Sequence, residues 1–151
     1  MTSSQLSAWL MLVPGGLWTG GILIFAVERT NLWRRMPLEQ YVVDVRRSLR
    51  RADPMLPIFG AIGGAGTLWF ALDGSAGGAR TLAWIGAALI VLVMISSIVI
   101  AEPINTRFRR LPEGTAPERA ERYRTIWRRF HFVRTVLALA AFACVSAAAV
   151  A

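Results

Sequence analysis

Four apolar stretches of bilayer length, residues 6–27, 54–72, 81–101 and 130–151, constrain this chain more than any other feature. A helix rises about 1.5 Å per residue, so about 20 residues cross the hydrocarbon of a bilayer. In lipid every backbone N–H and C=O must be satisfied internally, which leaves helices and closed barrels. The runs are continuously apolar rather than alternating, so they predict helices. With 55% hydrophobic residues in a chain of 151, the sequence reads as a single integral membrane domain spanning 1–151. The predicted class is all-α: a bundle of four transmembrane helices.

The formal net charge of +8 would suit nucleic acid, but its distribution assigns it to the membrane instead. All 17 basic residues are arginine. Seven (Arg29, Arg34, Arg35, Arg46, Arg47, Arg50 and Arg51) lie between the first and second spans. Eight lie from Arg107 to Arg129, Arg134 sits just inside the fourth span, and Arg80 stands alone on the other side. Short loops rich in arginine stay in the cytoplasm. The expectation is a multi-pass protein of the cell (inner) membrane, with two cytoplasmic Arg-rich loops, both termini outside and no nucleic-acid partner. The first span is too long, and residues 1–9 too uncharged, for a cleaved leader. Cys144 is the single cysteine, so no disulfide can form within the chain.

Shorter patterns refine this outline. Gly16 with Gly20 and Gly60 with Gly64 make GxxxG pairs, which allow close helix approach and would permit a homo-oligomer. Leu38, Tyr41, Val42, Val45 and Leu49 recur at helical spacing in the first loop, with arginines between them. That spacing predicts an amphipathic interfacial helix lying on the membrane surface, its arginines turned away. Asp53 before Pro54 reads as the N-cap of the second span. The third span is expected to stop at Glu102–Pro103. Thr115 and Glu118 have capping-box spacing, with Pro117 in the first turn, and a helix from there would run unbroken into the fourth span.

The residues with chemistry to offer gather at the Arg-rich end. Glu28 closes the first span, and Glu102 and Asn105 follow the third. Trp127, His131 and Arg134 open the fourth at i, i+4 and i+7, on one helix face. Glu28, Glu102, Asn105, His131 and Arg134 are expected to line one cavity near the cytoplasmic end. A charge in hydrocarbon is costly without a partner, so Arg134 is expected to pair with Glu28 or Glu102. All but Asn105 also have a plainer role: Arg134 as a snorkelling cation, His131 as an interfacial residue, Trp127 as a belt aromatic, the glutamates as partners of loop arginines. His131, Glu28 and Glu102 could together hold a single transition metal, or His131 a haem, although no Glu-x-x-His spacing is present. The reading adopted is that no cofactor is needed.

Residues 101–143 resemble the anthrone oxygenase family of small four-helix membrane proteins. That family has a Pro-x-Asn after the third span, then a loop, then Trp, His and Arg at helical spacing. Pro103, Asn105, Trp127, His131 and Arg134 fill those positions, and the Gly-rich first span ending in Glu28 also looks like the family. The resemblance implies an oxygenase of polyketide biosynthesis that converts an anthrone to the anthraquinone, with a lipophilic aromatic substrate and O2 as partners. Read onto this chain, it makes His131 the base and Arg134 the stabiliser of developing anionic charge. Asn105 would donate a hydrogen bond, Trp127 would stack on the substrate, and Glu28 or Glu102 would orient His131. A non-catalytic binding or assembly partner, a small carrier, and a haem- or metal-dependent oxidoreductase remain the competing functions.

Overall fold

The computed structural model describes every residue except 52, 53, 75 and 113. The described residues form helices without a strand. In order these are α1 (Ser3–Ile24), a π turn (Phe25–Arg29), α2 (Thr30–Arg35), α3 (Leu38–Arg51) and α4 (Met55–Trp69). A second π turn (Phe70–Gly74), α5 (Gly77–Ser96), a third π turn (Ser97–Ala101), α6 (Glu102–Arg110) and α7 (Ala120–Val150) follow. Four continuous helical rods are long and apolar enough to cross a membrane: Ser3–Arg35, Met55–Asp73, Gly77–Arg110 and Ala120–Val150. The protein is a multi-pass membrane bundle. The rods form a ring, α1 packing most extensively on α4 and α5 on α7, with α4 against α5 and α7 against α1.

The α1–α4 crossing is the tightest, and its reason is glycine. A Cβ on Gly63 would lie 2.9 Å from the Gly15 backbone nitrogen, and one on Gly66 would lie 2.6 Å from that of Met11. Of the two expected GxxxG pairs only Gly60 shares this crossing, where a Cβ would lie 2.9 Å from Trp18 Nε1 of α1. Gly16 faces the Phe142 ring, Gly20 faces open space, and Gly64 faces Ile90. The crossing follows the helix face that α4 presents to α1, which the sequence motif does not specify.

Rod length builds a second layer. Nineteen residues, as in Met55–Asp73, span about 28 Å and match the bilayer. The other three rods have 31 to 34 residues, so each extends beyond the hydrocarbon. Their extra length joins α3 at the Arg-rich end, where Trp33, Tyr41, Val42, Val45, Leu49, Ile104, Phe108 and Trp127 form a separate buried core. Its aromatic rings meet edge to face: Trp33 with Tyr41 at 5.6 Å, Tyr41 with Phe108 at 5.6 Å, and Trp33 with Trp127 at 5.1 Å between centroids. Burial raises the Tyr41 phenol above its ordinary range, so it stays protonated.

This layer corrects the surface-helix expectation. α3 forms with the predicted apolar face, but that face is covered by α6 and α7 instead of lying open to lipid. Arg46 shares the covered face and is 4% exposed. Its Nε donates to the Phe108 carbonyl and its Nη1 to the Pro112 carbonyl, both at 2.9 Å. Carbonyls at a helix end lack intrahelical donors, so a cation there is favourable. Asp44 fixes the other side of α3, accepting from Trp33 Nε1 at 2.6 Å and from Arg29 Nη1 at 3.1 Å.

Two boundary expectations also change. The helix does not stop at Glu102–Pro103 but continues to Arg110. The π turn makes this possible: the Glu102 N–H reaches back to the Ser97 carbonyl, and Pro103 falls in the first turn of α6, where its missing N–H costs little. α7 begins at Ala120, not Thr115, after Arg119 in the left-handed region (φ 64°). Residues 115–119 are instead held as turns, with the Thr115 N–H on the Pro112 carbonyl and the Ala120 N–H on the Pro117 carbonyl. The unbroken run into the fourth span is present, as 31 residues. The expected N-cap Asp53 lies outside the described residues, and Pro54 precedes α4 directly.

Candidate functional site

Four of the six expected site residues join in one chain of contacts. Asn105 on α6 accepts at Oδ1 from Trp127 Nε1 on α7 (3.0 Å). The Trp127 ring stacks on His131, with centroids 4.8 Å apart and planes 7° from parallel. Arg134 Nε–H donates to His131 Nδ1 at 3.0 Å. The i, i+4, i+7 spacing on α7 aligns these three side chains, and α6 reaches Trp127 because the helix passes Pro103 without breaking.

The bonding fixes the histidine tautomer. Nδ1 accepts from Arg134, so it carries no proton. Nε2 therefore bears the hydrogen and donates to the Ile22 carbonyl of α1 at 3.1 Å. His131 is neutral in this arrangement, fully enclosed at 0% exposure, with both ring nitrogens engaged. Thr135 Oγ1 closes the turn below it on the His131 carbonyl at 2.7 Å. The Arg134 guanidinium lies 5.6 Å from the Trp127 ring centre and 5.7 Å from that of Phe130. Cation–π attraction there offsets part of the cost of holding a charge among apolar helices. Its Nη1 reaches Ser97 Oγ at 3.4 Å.

The two glutamates are not part of this chain. Glu102 Oε1 accepts from Thr106 Oγ1 at 2.9 Å and pairs with Arg109, so it serves the first turn of α6 and not Arg134. Glu28 is exposed and lines a separate cavity of about 430 Å³ with Phe25, Arg29, Asp44 and Arg47. Each glutamate belongs to a π turn or follows one directly: Glu28 lies within the first, and Glu102 comes just after the third. An extra residue in a helix shifts the faces at and beyond it by about 100° relative to a regular ladder. The expected common cavity is thus a polar chain with two carboxylates outside it.

This arrangement bears on metal binding. Among the described residues no three His, Cys, Asp or Glu side chains come together. His131, Glu28 and Glu102 do not assemble the alternative three-residue ligand set, and in this arrangement both His131 nitrogens are bonded to protein. Trp127, at 4% exposure and stacked on imidazole, has no open face for a substrate. It braces His131 instead.

Sequence reasoning missed the groups around the chain. Phe25, in the first π turn, lies 6.2 Å from the His131 ring. Ser97 belongs to the third π turn, and Trp33 packs on Trp127. π turns occur often at functional sites. A signal existed for one of them: Ser96–Ser97 interrupts the most apolar span, and polar residues inside spans mark function or packing. Ile22 contributes a backbone carbonyl, for which no side-chain signal exists.

A family model described as anthrone oxygenase matches residues 46–144. The chain belongs to the anthrone oxygenase family. The matched region holds Glu102, Asn105, Trp127, His131 and Arg134, so the contact chain lies wholly within the anthrone oxygenase match, whereas Glu28 lies before it. No curated protein and no solved structure matches the chain.

Proposed function

We propose that this protein is a membrane oxygenase that oxidises a lipophilic aromatic carbon of the anthrone type with O2 and without a cofactor. The observation that carries the reading is the hydrogen bond from Arg134 Nε to His131 Nδ1 in an apolar bundle, inside the family match. An anthrone is the keto form of an electron-rich anthranol, and its methylene C–H is acidic. His131 Nδ1 is the lone-pair nitrogen. When Arg134 turns from it to the substrate oxygen, one side-chain movement exposes the base and stabilises the enolate. The carbanion passes an electron to O2, and recombination forms a C–O bond to a peroxide. Loss of the second C–H proton with cleavage of the O–O bond gives the quinone carbonyl and water. One anthrone and one O2 thus yield one quinone and one H2O.

Asn105 acts through Trp127 to hold His131 in place and does not touch substrate. Glu102 and Glu28 act at the rim. In orientation, the Arg-rich layer faces the cytoplasm and both termini face outward across the inner membrane, from the arginine asymmetry.

A second reading, a non-catalytic membrane assembly partner, is favoured by the complete enclosure of His131. Oxygen uptake by the purified protein with emodin anthrone separates the two. The oxygenase reading expects O2 consumption matched one to one by quinone absorbance, unchanged by a chelator. Uptake no faster than spontaneous oxidation overturns it. Loss of turnover on chelation, or a Soret band, overturns the cofactor-free form.

A further inference from the structure

A groove of about 910 Å³ runs down the outside of the bundle between α1–α2 and α7. Its walls are apolar and open to the surroundings: Val27, Phe132, Val136 and Leu139 line it, and Phe132 is 68% exposed. One end is cationic, formed by Arg128 and Arg129 beside Thr30. Arg128 is held over the groove by its Nε–H on the Thr30 carbonyl at 3.0 Å. Among the described residues neither Arg128 nor Arg129 forms an ion pair with a carboxylate. Arg34 and Arg124 add to the positive field at Arg128.

The dimensions match one class of molecule. Arg128 to Leu139 is 11 residues apart in number, or about 16 Å along a helix, close to half of a hydrocarbon core of about 30 Å. A single leaflet therefore fits the apolar wall, and its headgroup level falls at the two arginines. Clusters of arginine at this level attract anionic lipid, by about fivefold in affinity per residue. We infer that this groove binds one anionic phospholipid, its phosphate on Arg128 and Arg129 and an acyl chain along Val27, Phe132, Val136 and Leu139. The groove meets the His131–Arg134 chain only at Thr135, whose hydroxyl bonds the His131 carbonyl, and the proposal does not depend on the oxygenase reading.

The test is native mass spectrometry of the protein in detergent with equal phosphatidylglycerol and phosphatidylcholine, alongside thermal unfolding with each lipid. Wild type is expected to retain one phosphatidylglycerol preferentially and to unfold at a higher temperature with it than with phosphatidylcholine. Arg129→Gln alters an exposed side chain and should reduce the preference about fivefold. Arg128→Gln with Arg129→Gln should abolish it, and Arg35→Gln on the neighbouring turn should leave most of it. Ala26→Trp, which fills the groove wall, should remove retention with both arginines intact. Equal retention of the two lipids by wild type, or an unchanged preference in Arg129→Gln, overturns the proposal. An equal thermal shift from inorganic phosphate reduces the site to a phosphate site and overturns it. Displacement of the lipid by emodin anthrone assigns the groove to substrate and overturns it, as does a dimer whose cross-links require the groove face.

Discussion

Arg134 and His131 share one hydrogen bond, and the consequences of altering it separate chemistry from packing. Arg134→Lys keeps the charge but loses the planar donor aimed at Nδ1, so activity should fall at least tenfold while thermal unfolding in detergent shifts little. His131→Ala should remove most turnover, about 10²–10⁴ in rate. It should also destabilise by roughly 2–4 kcal/mol, because a fully buried ring stacked on Trp127 leaves a cavity. Full turnover in His131→Ala would leave His131 a packing residue. The glycines give a second test at this scale. Gly66→Ala should cost about 1–3 kcal/mol, since its Cβ would meet the α1 backbone, whereas Gly20→Ala should be neutral or stabilise by up to about 1 kcal/mol. Equal unfolding temperatures for the two variants would contradict the close crossing. The identities and helical alignment of Trp127, His131 and Arg134 were legible in the sequence. The partners were not, because Ile22 offers a backbone carbonyl and Ser97 lies some 37 residues away, as the Arg134–Ser97 bond records.

At the scale of elements, the second layer depends on α3 more than its hydrophobicity suggests. Asp44 joins α3 to both Arg29 and Trp33 in a half-buried setting. Asp44→Ala leaves the indole N–H and the guanidinium short of an acceptor, at a cost of about 1–3 kcal/mol. The loss should be local. Trypsin cleavage within residues 46–51 should speed up and amide exchange over α3 should rise, with the membrane rods unaffected. Protection equal to wild type would show that α3 is held by its apolar face alone. The amphipathic pattern of α3 was readable from Leu38 to Leu49, but what covered it was not. Periodicity records that a face is apolar, and lipid and protein both satisfy that. The extra residue in each π turn was likewise invisible because it leaves no compositional mark, and only Ser96–Ser97 hinted at the third.

The whole molecule is a ring of four membrane rods with a helical layer at its Arg-rich end. A C-terminal reporter active only in the cytoplasm should stay silent, and one active only outside should give signal, with the reverse result for reporters inserted near Gly114. A cytoplasmic signal from the C-terminus would invert the orientation. The sequence alone determined the number of spans, the all-α class and the single polar end, because the cost of burying charge or unsatisfied backbone in lipid acts residue by residue. It also supplied the family, through residue types in order. The tertiary structure alone decided that Glu28 and Glu102 stand apart from His131, that Trp127 braces imidazole, and that α3 packs on protein. The place of the two glutamates depends on helix phase at the π turns, and the cover of α3 on which face meets which neighbour. The Trp127–His131 stack is local to α7, but its enclosure comes from Asn105, Ile22 and Trp33 on other segments. Local sequence does not contain these relations between segments.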